Sequence, residues 1–313
     1  MFEENYHFYV PQEKRIKVIL DSDVRNEVDD QFAIMHALMT PKFDVRGIIA
    51  THFGHDRIKD SMQASYEELE RTLEAADLLG KVRIAKGSET AIDPGLTGYF
   101  GDMKPYDNDG VRLIIDEAKS LSLGEKLYVG VLGPMTDIAC ALMLAPEIEE
   151  KLIIVWNGGN IYPNGGMEFN LVNDIAAANC VLSSKAEIWQ IPTKVYAKPR
   201  CGLAELQLKV RPCGKIGCFL FDEVMDFFEL MKKYPSWPKA ESLDICDLTV
   251  IGLMLEEHNY SYSWRQAPHI GSDMFYRDNH ENRPIRVYED IDGRYILEDF
   301  FAKLMINYGP KGV

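Results

Sequence analysis

The sequence predicts an α/β fold: one open, mostly parallel sheet with helices on both faces, built as a single domain over residues 1–313. Three observations lead there. Short, β-branched apolar runs at residues 16–20, 43–51, 126–132 and 152–156 read as strands buried on both faces. Segments with a helical beat lie between them, and strands alternating with helices build parallel sheets. No Ser/Gly linker, low-complexity tract or internal repeat divides the chain.

Composition narrows the function. The chain has 313 residues, 46% hydrophobic and 27% charged, enough for a sizeable core. Its net charge of −15 repels phosphate backbones, which disfavours a nucleic-acid polymer as partner and suits a neutral small molecule or a cation. The opening MFEENYHFYVPQEKR lacks the basic and apolar regions of a signal peptide. No apolar run approaches the ~18 residues of a membrane span. The six cysteines form no CxxC pair and read as reduced thiols. The expectation is a cytoplasmic protein with no membrane partner.

The first strand ends abruptly in Asp21 and Asp23, and a turn carries Arg25, Asn26 and Glu27. Asp29 and Asp30 then open a helix marked by Phe32, Met35, Leu38 and Met39. Single aspartates at such places are ordinary caps and turn formers. Four at one strand-to-helix corner raise each other's pKa unless a cation sits among them. A hard cation with oxygen ligands is the natural solution. In open α/β sheets the carboxyl ends of strands are also where ligands bind. Asp30 further faces the positive end of its helix, which favours the ionised form.

The rest follows in order. Residues 43–51 read as a second strand, residues 61–79 as a helix stopped by Gly80, and residues 82–85 as a short strand. Residues 90–110, with Gly95, Gly98, Gly101 and two prolines, read as a long irregular segment of lid type. A helix at 111–121 and a strand at 126–132 lead to Gly133-Pro134, with Thr136 expected to cap a helix to Leu144. The strand at 152–156 runs into a Gly/Asn-rich loop holding Asn160, Tyr162 and Asn164, then Glu168-Phe169-Asn170, with a helix from Asn173-Asp174. Residues 186–191 and 193–197 read as strands, 198–215 as irregular, and 217–233 as a helix with an aromatic face. Leu243 to Leu248 opens a helix to about Glu257. A strand at 285–290 and an amphipathic helix at 292–307 close the chain.

These stretches resemble the inosine-uridine nucleoside hydrolase family over about residues 16–254. The family's strand, Asp-x-Asp-Pro-Gly-x-Asp-Asp and helix stand here as Asp21-Ser22-Asp23-Val24-Arg25-Asn26-Glu27-Val28-Asp29-Asp30. This corner is two residues longer and has Val-Arg-Asn-Glu for Pro-Gly, which marks a divergent branch. Leu132-Gly133-Pro134-Met135-Thr136-Asp137-Ile138-Ala139 is similar to the family's Thr-Gly-Gly-Leu-Thr-Asn-Ile-Ala segment. Glu168-Phe169-Asn170 matches its Glu-Phe-Asn, and Cys246-Asp247 stands where it has His-Asp.

The resemblance implies a Rossmann-related fold, assembly as a homodimer or homotetramer, and a role in nucleoside salvage. It implies metal-dependent hydrolysis of the N-glycosidic bond of a ribonucleoside to ribose and free base. Calcium, in preference to magnesium, would be held by Asp23, Asp30, the Leu132 carbonyl and Asp247, with Asp23 also the catalytic base that activates water. Asp29, Glu168, Asn170 and one of Asn160 or Asn164 would hold the ribose, and Asp21 would orient the metal's ligands. Cys246 is a poor proton donor at the place of a histidine. His52, His55 and Tyr162, with Tyr99 and Tyr276 in other loops, are therefore further candidates for leaving-group contact.

Two other classes fit part of this pattern. A haloacid-dehalogenase-like, magnesium-dependent phosphatase would use Asp21 as nucleophile and Asp23 as acid/base, but leaves Asp29-Asp30 and Glu168-Phe169-Asn170 without a role. A non-catalytic nucleoside or sugar-binding protein on the same fold would keep the pocket and lose the proton-handling residue. Asp23 is present, which favours catalysis.

Overall fold

The computed structural model describes residues 2–92, 103–234, 241–256 and 259–310. The first half contains β1 (Ile16–Ser22), α1 (Asp30–Leu38), β2 (Phe43–Ala50), α2 (Ser61–Ala75), β3 (Ile84–Lys86), α3 (Asp109–Ser120), β4 (Leu127–Val131), α4 (Thr136–Leu144) and β5 (Leu152–Asn157). Then come α5 (Phe169–Asn173), α6 (Ile175–Ser183), β6 (Glu187–Ile191), α7 (Thr193–Tyr196), β7 (Arg200–Gly202), α8 (Leu203–Lys209), α9 (Gly214–Met231), β8 (Ser242–Asp244) and α10 (Leu248–Leu255). The chain ends with β9 (Tyr262–Gln266), β10 (His269–Ile270), β11 (Tyr276–Arg277), β12 (Pro284–Tyr288) and α11 (Gly293–Tyr308).

Among the described residues, eight strands form one sheet in the order β3-β2-β1-β4-β5-β6-β12-β9. Every pairing is parallel except that of the edge strand β9 with β12. Successive side chains of a strand point to opposite faces, and both faces are covered. Val18 and Leu20 join one apolar cluster with Phe32 of α1, Leu220 of α9, Val250 of α10 and Phe300 of α11. Ile19 joins the other with Leu113 of α3, Ile138 of α4 and Val181 of α6. Full burial of a side chain such as Phe32 contributes roughly 1.5–3 kcal/mol. No helix among the described residues is long and apolar enough to cross a membrane.

The strand order reverses between β1 and β4. Such a switch point leaves a crevice at the carboxyl ends of the two strands. Here it lies between the Asp21–Asp23 corner and Leu132, whose N–H donates to the Asp21 carbonyl at 2.8 Å.

Several local expectations change. Where a strand is expected at 193–197, Thr193–Tyr196 form the helix α7: β6 stops at Ile191, and Pro192 has no N–H to continue the ladder. The segment 198–215 contains β7 and α8, and β7 pairs antiparallel with β8, a partner remote in sequence. The helix expected from Leu243 begins only at Leu248, after β8. The helix from Ser61 ends at Ala75, where Asp77 takes a positive φ of 57°. Thr136 does not cap α4; its hydroxyl donates to Asp174 Oδ2 at 2.8 Å. Part of the expected lid, residues 93–102 with Tyr99, lies outside the described residues, and residues from Asp109 onward are already helical.

Candidate active site

The carboxyl ends of β1, β4 and β5 lie side by side because these strands are neighbours in register, Asp21 beside Val131 and Val131 beside Trp156. Each strand releases one functional group there: Asp23 after β1, the Leu132 carbonyl after β4, and Asn157 at the end of β5. Two further elements converge on the same place. Helix α1 brings Asp29 and Asp30 with its N-terminus, and α10 brings Asp247 with its own. Gly130 permits the approach of α10, since a Cβ there would meet Val250 Cγ1 at 2.9 Å.

One carboxylate oxygen from each of Asp29, Asp30 and Asp247 lies within 4.8 Å of the others, and all three residues are buried. Asp29 stands at the N-cap of α1, yet its side chain makes no cap hydrogen bond. Its Oδ2 instead accepts the Asp247 N–H at 3.2 Å. Asp30 Oδ1 accepts the Ser22 hydroxyl at 2.5 Å. Asp247 Oδ1 accepts Asn157 Nδ2 at 3.0 Å, and Asn157 is itself fixed by the Thr249 hydroxyl at 2.7 Å. Asp23 is 2% exposed, and its Oδ2 has no hydrogen-bond partner among the described residues.

The electrostatics follow. Burial, then the charges of Asp30 and Asp29, push the Asp23 carboxyl well up. Burial, then Asp29, Asp30 and Asp23, does the same to Asp247. Burial raises Asp30 to about 6, held back by its bonds from Ser22 and Asp247. The grouped carboxyls of Asp29, Asp30 and Asp247, with the charge of Asp23 felt by Asp247, fit a hard cation, whose charge removes the repulsion. The donor set is all oxygen, as calcium and magnesium require.

The ribose-side candidates sit beside this cluster. Asn170 Nδ2 donates to the Leu132 carbonyl at 2.6 Å and to the Asn157 carbonyl at 2.9 Å. Glu168 is buried at the N-cap of α5 and accepts from the N–H groups of Gly159, Asn170 and Leu171. It also accepts the Tyr196 hydroxyl at 2.9 Å. Tyr196 was not anticipated, because its segment reads as a strand and only the turn into α7 aims it at Glu168. Asn157 carries a signal too, its position at the end of a strand.

Other candidates are placed differently. Asp21 is fully buried on the α4 side, where burial and the Asp137 charge raise its pKa. Asn160 uses its side chain on the Met167 carbonyl and the Thr193 hydroxyl, and Asn164 is exposed. His52 is fully buried, faces Thr136 Oγ1 at 2.9 Å and is held down to about 4 by burial. His55 is exposed and bonded to the Lys59 carbonyl. Tyr162 packs on Tyr276 with ring centroids 4.8 Å apart and donates to Gln190. Cys246 adjoins the cluster, its thiol raised by burial and by Asp29.

The chain is 30% identical over 192 residues to "Probable uridine nucleosidase 2" of Arabidopsis thaliana, covering 56% of this chain and 58% of the relative. It is 26% identical over 189 residues to the non-specific ribonucleoside hydrolase RihC of Escherichia coli, covering 56% and 60%. These matches thus span about three fifths of the curated relatives' length. Among solved structures, the purine-preferring ribonucleoside hydrolase from Gardnerella vaginalis superposes with a TM-score of 0.73 at 22% identity, covering 93% of this chain and 99% of the other. The model of the inosine-uridine preferring nucleoside hydrolase family matches residues 18–298, and the chain belongs to that family.

Proposed function

We propose that this protein hydrolyses the N-glycosidic bond of a ribonucleoside, releasing ribose and the free base. The observation that carries this reading is the buried group of Asp29, Asp30 and Asp247 carboxylates, with the buried Asp23, whose Oδ2 is unpartnered, coupled to it by charge. Asp23, Asp30, Asp247 and the Leu132 carbonyl would hold calcium, magnesium being the second choice. A bound cation supplies a Lewis acid that lowers the pKa of a neighbouring water. Asp23 takes the proton of the attacking water. Asp29, Asn170 and Glu168 orient the ribose hydroxyls, with Asn160 or Asn164 as the further loop contact. Asp21, buried on the α4 side with neither carboxylate oxygen hydrogen-bonded among the described residues, makes no bond to the ligand carboxylates. The sugar passes through an oxocarbenium-like transition state, and His52, His55, Tyr162 or Cys246 would contact the departing base.

The reading extends to the setting. The six cysteines carry no disulfide, which suits the reducing cytoplasm, and the chain would work there as a homodimer or homotetramer in nucleoside salvage.

The test is release of reducing ribose from purine, pyrimidine and modified nucleosides, with calcium, with chelator, and with Asp23→Ala. Metal-dependent release that the substitution abolishes supports the proposal. Phosphate release from nucleoside monophosphates in the same assay, without ribose, would replace it with a phosphatase. Tight nucleoside binding without turnover would replace it with a binding protein.

A further inference from the structure

We infer that the edge strand β9 is an interface between two copies of this chain, paired antiparallel about a two-fold axis at Trp264 so that their two sheets become one. The inference names a surface for the homodimer proposed above and uses none of the hydrolytic chemistry.

The two edges of the sheet differ. At one edge, β3 has three residues and ends in Lys86. A short strand with a lysine is a blunted edge, protected from pairing. At the other edge, β9 has five residues, Tyr262-Ser263-Trp264-Arg265-Gln266, without proline, lysine or acid. Four of the five are exposed, Trp264 to 58%.

The backbone of β9 is open in a defined register. The Glu289 N–H donates to the Ser261 carbonyl at 2.9 Å, and the Ala267 N–H to the Arg283 carbonyl at 3.1 Å. Bonded and unbonded residues alternate along an antiparallel strand, so the odd-numbered residues of β9 bond to β12. Tyr262, Trp264 and Gln266 turn their N–H and C=O groups outward, where no partner is found among the described residues. A second β9 running antiparallel meets these groups with its own. Centred on Trp264, the pairing sets Trp264 against Trp264 and, on either side, Tyr262 against Gln266. Each pair then exchanges a bond in both directions. The pattern is its own complement, as an isologous interface requires.

The side chains agree. Tyr262 and Trp264 share one face, their ring centroids 5.8 Å apart. Both pack on Arg286 of β12, whose guanidinium carbon lies 5.0 Å and 5.6 Å from the two centroids. Trp264 is thus exposed yet held in place, which suits an interface anchor. On the opposite face Ser263 donates to Glu289, and Arg265 Nη2 lies 3.5 Å from the same carboxylate. The two-fold pairing sets Arg265 opposite the partner's Ser263 and so brings it towards the partner's Glu289. Positive meets negative on both sides of the axis. A strand of another protein would have to supply this arrangement, whereas a second copy carries it by symmetry.

The test measures the solution mass of the chain by light scattering at micromolar concentration. Trp264→Pro removes an outward N–H and no bond to β12, and is expected to halve the mass. Trp264→Cys is made in a Cys218→Ser background, which removes the exposed native thiol. Oxidation is expected to link it copy to copy, since the Cα atoms of a hydrogen-bonded pair lie about 5.5 Å apart, within disulfide reach. Tyr262→Cys in the same background is expected not to link, because its two copies lie four residues out of register, about 14 Å. A monomeric wild type overturns the inference. So does an assembly whose mass a folded Trp264→Pro leaves unchanged; the copies then meet elsewhere, and the homodimer stands without this surface. Should Trp264→Pro fail to fold, the cysteine pair decides. A disulfide through Trp264→Cys and none through Tyr262→Cys upholds the pairing, and equal yields or none from either overturn it.

Discussion

Asp29 Oδ2 accepts the backbone N–H of Asp247 at 3.2 Å, across 218 residues of sequence. This bond ties the N-terminus of α1 to that of α10 and closes the acid cluster. Two helix N-termini, each positive, thereby face one group of carboxylates. The same arrangement makes each residue of the cluster separately testable.

Asp23 is the general base in the proposed reaction. General-base catalysis contributes typically about 10²–10⁴-fold. Asp23→Asn is expected to lower kcat by about that factor, with a thermal midpoint in chelator no lower than the wild type's. The substitution relieves the repulsion that raises this carboxyl. An active Asp23→Asn protein would assign the base elsewhere.

Asn157 positions Asp247, a ligand in the proposed metal site, without being a ligand itself. It donates to Asp247 Oδ1 at 3.0 Å and to the Cys246 carbonyl at 3.0 Å. Groups of this kind are worth roughly 10–100-fold in metal affinity. Asn157→Ala should weaken calcium binding by about that factor in a calorimetric titration. Unchanged affinity would mean that Asp247 is held by the helix alone.

Tyr196 orients Glu168 through the 2.9 Å bond from its hydroxyl. A hydrogen bond to a charged group contributes about 1.5–3 kcal/mol. Tyr196→Phe is expected to raise KM for the nucleoside by about tenfold or more and to leave kcat within a few-fold, the signature of sugar binding. A loss confined to kcat would place the hydroxyl in the chemical step.

Acid stability depends on a site remote from the reaction. His36 on α1 is buried and bonded to Asp299 of α11 at 2.6 Å, and Lys303 reaches the same carboxylate at 2.5 Å. Burial holds His36 down to about 4. Asp299 lies at about 2: burial opposes that shift, and the bond from His36 with the nearby charges outweighs it. Both are depressed in the folded state, so the unfolded chain binds more protons and stability falls with acid. The His36 contribution is complete above its unfolded value near 6.5 and is lost as pH falls through about 4. His36→Gln should flatten the decline in thermal midpoint between pH 6.5 and 4. An unaltered decline would assign it to other groups.

Much of this was readable in the chain. The β-branched runs of β1, β2, β4 and β5 declare strands buried on both faces, since parallel sheets leave no polar face to alternate. Asp23, Asp29 and Asp30 were legible because one strand-to-helix corner holds them within eight residues, and Asp247 through a matching motif. What lacked a local signal was misread. Thr193–Tyr196 has strand-like residues, but Pro192 ends the ladder, so Tyr196 turns toward Glu168. The pairing of β7 with β8 and the edge strand β9 depend on partners remote in sequence.

The sequence by itself determined the alternation of elements, the acidic corner and the family. Only the tertiary structure decided that β1, β4 and β5 are neighbours, that the sheet reverses order at β1 and β4, and that α10 delivers Asp247 onto Asp29. It also decided that Asn157 supports Asp247 and that Tyr196 supports Glu168. The reason is physical. Burial pattern and turn chemistry are written in neighbouring residues, whereas strand order and helix docking arise from packing two apolar faces at once, which no short stretch of chain encodes.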